Sequence, residues 1–300
     1  MWFRNLQIYT LAAPLALSAA QLIEKLAAKA FQPGSSIELQ RLGWISPRDD
    51  GNLVHEVGGQ FLLALRAEKK LLPASVINQA ARARAEQIEE ERGYRPGRRE
   101  MRELKDAVTN ELLPRAFPVQ RDTRIWIDPD AGRIVVDAST STKGDEALQL
   151  LNECVELLGA RPWQTVLSPV SAMTAWLAAD EAPNNFTIDQ DTELRASTQS
   201  KATVRYVRHA LEADDVRRHI EAGKQCTRLA LTWMDRISFV LTEALAIKRV
   251  TPLDLLTERE DGANDEAERF DSDFALMTGE LGRLLPWLEA ALGGEAPVRS

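Results

Sequence analysis

Cysteine, histidine and tyrosine are scarce in this 300-residue chain, at two, three and three residues. Cys154 and Cys226 cannot build a disulfide framework, and neither sits in a Cys-x-x-Cys or Cys/His spacing that would hold zinc. They read as small buried hydrophobes of a reducing compartment. His55, His209 and His219 are scattered without a His-x-x-x-His pair, so no metal cofactor is expected. No apolar run reaches 18 residues, and nothing reads as a membrane span. Also missing are Gly-x-Gly-x-x-Gly, a Gly-Lys-Ser/Thr phosphate loop, Gly-x-Ser-x-Gly and a cysteine with a spaced histidine partner. Basic charge is in deficit. Lys+Arg 37 against Asp+Glu 45 gives a net charge of -8, which taken alone argues against nucleic-acid binding.

What is present is an ordinary globular composition, 44% hydrophobic and 27% charged, enough for two domains or one elaborated domain. Near the start, Arg4 precedes the run LAAPLALSAA from Leu11 to Ala20, which imitates a secretory signal. A strand through Trp2, Phe3, Leu6, Ile8 and Leu11, then an amphipathic helix with Leu22, Ile23, Leu26 and Phe31, explains more residues.

Strand patterns recur at Leu42 to Ile45 and Gln60 to Arg66, around the turn formers Pro47, Asp49, Asp50 and Gly51. Two helices follow, one opening at Pro73 with an apolar face from Val76 to Ile88. The second carries Met101, Leu104, Val108 and Leu112, and the pair reads as a projecting hairpin broken at Gly93, Pro96 and Gly97. A β-hairpin turns at Asp128-Pro129-Asp130-Ala131-Gly132, and a helix is expected from Asp145 to Leu158. The stretch from Pro162 to Asp180 is weakly patterned. A three-stranded meander is expected from Leu229 through Ile247, turning at Met234-Asp235, then a long helix from Phe270 to Leu292 that Pro286 is expected to kink or shorten. The fold class is α+β with mixed sheets. The expected divisions are 1–72 as the N-terminal part of a central domain, 73–122 as a helical tip, 123–160 as the return to the central sheet, and 161–300 as a second, basal α+β region.

Charge is unevenly spread. From Arg92 to Lys105 six basic residues face two acidic ones, whereas Thr257 to Ser300 holds eleven acidic and four basic. On a helical wheel Arg98, Arg102 and Lys105 share one side while Glu100, Glu103 and Asp106 lie roughly opposite. Smaller basic clusters are Arg66, Lys69 and Lys70, and Arg205, Arg208, Arg217, Arg218 and Lys224. Each alone reads as solvated surface. Together they could form one phosphate-facing surface, because sequence-independent binding needs only suitably spaced cations. No helix-turn-helix, zinc-finger or RNA-recognition signature calls for base readout. The best carboxylate cluster is Glu268, Asp271 and Asp273, a candidate Mg²⁺ site for a nuclease. Phe270 and Phe274 claim the buried helix face, which leaves these acids on solvated faces instead.

Several stretches resemble the recombination-associated protein RdgC family. They are MWFRNLQIYTL, GWISP at Gly43 to Pro47, EKKLLPASVI from Glu68, ELKDAV and LLPRAF between Glu103 and Phe117, and WIDPDAGRIVVD from Trp126. HIEAGK from His219, LALTW from Leu229 and ERFDSDFALMTGEL from Glu268 complete the set, in order along almost the whole chain. The resemblance implies a non-catalytic, cytoplasmic, nucleoid-associated protein: a ring-shaped homodimer that encircles double-stranded DNA and opposes RecA. It also implies a dimer contact at the tip, at Leu113, Arg115 and Phe117, and a second near Arg205 to Leu211, where Tyr206, Val207 and His209 depart from the family pattern. A ring acidic outside and basic within would reconcile DNA binding with the negative total. The other readings are a module that docks on a recombination or replication partner through its acidic C-terminal region, and the Mg²⁺-dependent nuclease.

Overall fold

The computed structural model describes residues 1–33, 38–155, 159–197, 201–208, 213–253 and 265–297. Its strands are β1 Asn5–Thr10, β2 Gln40–Ile45, β3 His55–Val57, β4 Gln60–Lys70, β5 Pro118–Asp128, β6 Arg133–Asp137 and β7 Arg161–Pro162. They continue with β8 Phe186–Ala196, β9 Thr203–Tyr206, β10 Lys224–Trp233, β11 Ile237–Thr242 and β12 Ile247–Pro252. The helices are α1 Ala19–Ala27, α2 Ala74–Arg92, α3 Arg98–Leu112, α4 Ser141–Cys154, α5 Pro169–Ala179, α6 Ala213–Glu221 and α7 Glu266–Ala291.

The strands join in one sheet, ordered β2-β4-β5-β6-β1-β12-β11-β10-β8-β9, with β3 on β4 and β7 on β1. Every pairing between these strands is antiparallel, so the expected mixed sheets are a single antiparallel sheet. The reason is β1. Its Leu6 pairs with Asp137 of β6 on one side and Ile247 of β12 on the other, which joins the two halves of the sheet.

Period-two alternation sorts side chains between the two faces. On one face Tyr9, Leu63, Ile125, Ile127, Ile134 and Val136 pack under α1 and α4, through Leu22, Leu26, Ala147 and Leu151. On the other, Leu6, Leu62, Trp126 and Val135 share a core with Leu229, Leu231, Trp233, Phe239 and Leu241, under α5, α6 and α7. Fully burying one such Leu or Phe side chain stabilises the fold by roughly 1.5–3 kcal/mol relative to its exposure.

Sequence signals decide several ends. Ser18 caps α1 by accepting from the Gln21 backbone N–H, while the Gln21 side chain accepts from the Ser18 N–H, a reciprocal capping box. Met234 and Asp235 both adopt left-handed backbone at the β10–β11 turn, where the sequence places the tight connection. Other expectations shift. The weakly patterned middle contains α5, opened by Ser168, whose hydroxyl accepts from the Ser171 N–H. The helix expected from Asp145 begins at Ser141, and Leu158 lies outside the described residues. Pro286 does not end α7, which runs on to Ala291 because Leu284, Leu285 and Leu288 are buried across it.

Candidate nucleic-acid interface

β4 and β5 pair for ten residues, from Phe61↔Ile127 to Lys70↔Pro118, and outrun the core. Their outer ends are half-buried or exposed and form a stalk for α2 and α3. Ala81 and Ala85 are buried in α2, Val108 in α3, and the small alanines let the two helices approach closely. Gly93 ends α2 at φ 78, a left-handed cap that costs glycine little. The Gly97 N–H then donates to the Glu100 carboxylate at 3.1 Å and starts α3.

The cations from Arg92 to Lys105 divide into two sets. Arg92 pairs with Glu100 at 3.5 Å, Arg95 with Glu89 at 2.7 Å and Arg99 with Glu103 at 3.1 Å. Arg98, Arg102 and Lys105 are exposed, and none of them has a carboxylate partner among the described residues. Glu100 and Glu103, two of the acids that the helical wheel sets opposite, are taken up by Arg92 and Arg99.

The remaining basic clusters are largely internally neutralised. Arg66 holds Asp122 through two hydrogen bonds of 2.7 Å, and Lys70 donates to the Ala116 carbonyl at 3.3 Å; Lys69 is exposed. Arg205 pairs with Glu193, Arg217 with Asp214 and Arg218 with Asp215, while Lys224 Nζ sits 3.2 Å from His219 Nδ1. Arg208 is exposed, and its backbone N–H donates to Asp191. His209 and the end of the Arg205 to Leu211 stretch lie outside the described residues. The two groups do not meet within one chain. β4 and β9 are eight strand steps apart, about 38 Å along the sheet at about 4.8 Å per step.

At the root of the tip, Phe117 is 80% exposed. Its carbonyl accepts from the N–H of exposed Leu71 at 2.8 Å; exposed Leu39 lies on the far side of β4, its carbonyl accepting from the Lys70 N–H at 2.9 Å. Arg115 is exposed beside Phe117, whereas Leu113 is buried in its own chain.

Sequence reasoning missed the open face of the C-terminal half-sheet. Because α5, α6 and α7 all pack on the face that carries Leu229, Phe239 and Leu241, the opposite face carries exposed Arg228 with half-buried Val240 and Lys248 and buried Thr242. Cross-strand register lines up Arg205, Glu193, Arg228 and Thr242, then Val240, Lys248 and Asn5. Arg228 is exposed and forms no ion pair among the described residues, but it stands opposite Glu193 and its charge acts on that carboxylate. Lys248 donates to the Ser139 carbonyl at 2.8 Å. Glu193 is the acid of the row and is only 3% exposed. Burial alone would raise its pKa, but donors from Arg205, Thr227 and Arg195 outweigh it and hold the carboxyl at about 2. Alternation in β10 and β12 could have indicated this face, since Arg228 and Lys248 lie out of phase with the apolar positions.

The acids of ERFDSDF hold the chain's own N-terminal part. Asp271 accepts from Arg48 at 3.1 Å and lies 3.0 Å from His55 Nε2, while Asp273 pairs with the Met1 amine. Glu268 is exposed one turn away. Among the described residues no group of three or more His, Cys, Asp or Glu is arranged to hold a metal ion. No helix among them is long and apolar enough to cross a membrane.

Comparison with known proteins places this geometry in a lineage. A family model described as "Putative exonuclease, RdgC" matches residues 1–295. The chain is 58% identical to the recombination-associated protein RdgC of Bordetella parapertussis over 300 residues, covering 99% of this chain and 100% of that protein. It is 60% identical to the protein of the same name from Janthinobacterium sp. (strain Marseille) over 296 residues, 98% of this chain and 99% of that one. With the Cupriavidus necator protein of that name the identity is 57% over 296 residues, again 98% and 99% of the two chains.

Proposed function

The chain belongs to the RdgC family of recombination-associated proteins, and from that premise we propose that it binds double-stranded DNA without reading its sequence, as a homodimer closed around the duplex. The observation that carries this reading is the division of the cations from Arg92 to Lys105. Arg98, Arg102 and Lys105 are exposed and unmatched by carboxylates of their own helix, in a chain of net charge -8 that neutralises most of its other arginines. Cations held free in this way gain most from phosphate, where each contact releases condensed counterions. Arg228 and Lys248 on the open sheet face are further candidates, as are exposed Lys69 and Arg208 elsewhere on the chain.

Exposed Phe117, with exposed Leu71 across the strand pair from it, is suited to a self-complementary contact across a two-fold axis. A second contact near Arg205 would close the ring. A duplex inside such a ring is withheld from strand exchange, which is how the protein would oppose RecA on the nucleoid, in the cytoplasm.

The family model's description raises exonuclease chemistry, and this reading assigns none. Asp271 and Asp273, the best candidate acids, are engaged by Arg48, His55 and the Met1 amine. The test is binding in EDTA followed by Mg²⁺ on supercoiled and linear duplexes. Retention of full-length DNA is expected; Mg²⁺-dependent cutting that vanishes in Asp271→Asn or Asp273→Asn would establish the nuclease instead.

A further inference from the structure

α5 is an 11-residue helix without a single charged side chain, PVSAMTAWLAA. Uncharged helices of this kind are ordinarily buried all round. Only one side of α5 is: Ala172, Met173 and Leu177 enter the core, whereas Ala175 and Ala179 face outward and are exposed. Alongside lies the last part of α7, whose Trp287 is 44% exposed although Leu284, Leu285 and Leu288 around it are fully buried. Between the two helices runs a groove with Ala175, Ala179 and Ala290 along its length and Trp176 and Trp287 among its walls. Glu289, the acid nearest the groove on α7, turns inward to Arg133 at 2.8 Å and to the Trp163 indole at 3.2 Å.

The groove's charge is one-sided. Glu181 lines its end and Asp180, the left-handed cap of α5, precedes it in the chain; both are exposed, and neither pairs with a cation among the described residues. Among the described residues no lysine or arginine lines the groove, and the Arg217 guanidinium near the end of α5 is held on the Ala178 carbonyl at 3.1 Å. Small residues that let a guest backbone come close, tryptophans as anchors and an acidic end together define a guest. We propose that this groove docks a cationic amphipathic helix of a partner protein, with apolar side chains over the alanines between Trp176 and Trp287 and lysine or arginine side chains against Asp180 and Glu181. This surface is separate from the tip and from the open sheet face, so the proposal stands independently of the DNA-binding reading.

The test uses the full chain labelled with 5-fluorotryptophan, with the Trp176 and Trp287 signals assigned through Trp176→Phe and Trp287→Phe. The probe is a 14-residue helical peptide of leucine and lysine; a peptide with glutamate at each lysine position is the control. The lysine peptide should shift both fluorine signals saturably, and the glutamate peptide should leave them in place. Trp287→Ser should weaken binding at least tenfold. Ala290→Glu, a change at an exposed helix position that leaves the core intact, should do the same. Asp180→Asn with Glu181→Gln should weaken it three- to tenfold and remove most of its salt dependence. Undiminished binding in Trp287→Ser or Ala290→Glu overturns the proposal. So does a Trp287 signal that shifts with protein concentration alone and stops shifting in Ala290→Glu, because the groove would then join two copies of this chain.

Discussion

At the scale of single residues, Gly43 and Glu193 show side-chain identity being dictated by what lies within a few ångströms. The segment after α1 runs beside β2, with Phe31 N–H donating to the Trp44 carbonyl at 2.8 Å and Trp44 N–H to the Lys29 carbonyl at 2.9 Å. A Cβ on Gly43 would stand 2.4 Å from the Phe31 Cα and 2.7 Å from its nitrogen, both backbone atoms that cannot swing aside. Gly43→Ala should therefore cost about 2–3 kcal/mol, read as a lower urea midpoint with an unchanged slope. A midpoint within error of the parent would mean that the strand relaxes freely. Glu193 makes a pH-dependent contribution. Its folded-state pKa of about 2 lies below the ordinary 4.5, so the stability it adds is complete above about pH 4.5 and disappears as pH falls towards 2. Glu193→Gln should lower stability at pH 7 by about 2 kcal/mol and flatten the loss between pH 4.5 and 2. An unaltered acid limb in the variant would place that linkage on other carboxylates.

At the scale of elements, the hairpin of α2 and α3 was legible in sequence because its signals are local. Pro73, Gly93 and Gly97 punctuate it, and three-and-four spacing gives its faces. The β5–β6 turn and the β10–β11–β12 meander were legible for the same reason. α5 was not, since a helix without charges carries no amphipathic contrast, and β3 is too short to show a period. The single sheet was not legible either: it depends on β1 lying between β6 and β12, pairings separated by more than a hundred residues. For the candidate site, composition and wheel geometry singled out Arg98, Arg102 and Lys105; the partners of Arg217 and Arg218 lie three residues away on their own helix, whereas only tertiary structure reveals that Arg66 and Arg205 are matched by Asp122 and Glu193. Changing Arg98 and Arg102 to Gln keeps helix propensity while removing charge. In a symmetric dimer up to four phosphate contacts disappear, and the slope of log K against log salt should fall by up to about 3.6, equally on AT-rich and GC-rich duplexes. A folded, dimeric variant with the parental slope would transfer the contacts to the open face around Arg228 and Lys248.

At the scale of the whole molecule, a net charge of -8 and affinity for a polyanion are compatible only if cations are gathered on a surface that acids do not share. In the proposed ring, closure around the duplex would add a topological hold to an electrostatic one. If Phe117 makes the proposed isologous contact, Phe117→Ala removes two aromatic side chains from it and should open the ring, leaving ordinary, salt-sensitive binding. The most direct measurement of encirclement compares the dissociation of the parent protein, after a jump to high salt, from a linear duplex with free ends and from the same duplex blocked at both ends. The account predicts rapid loss from the free-ended duplex and prolonged retention on the blocked one, with Phe117→Ala lost rapidly from both. Equal dissociation of the parent protein from the two duplexes would contradict it.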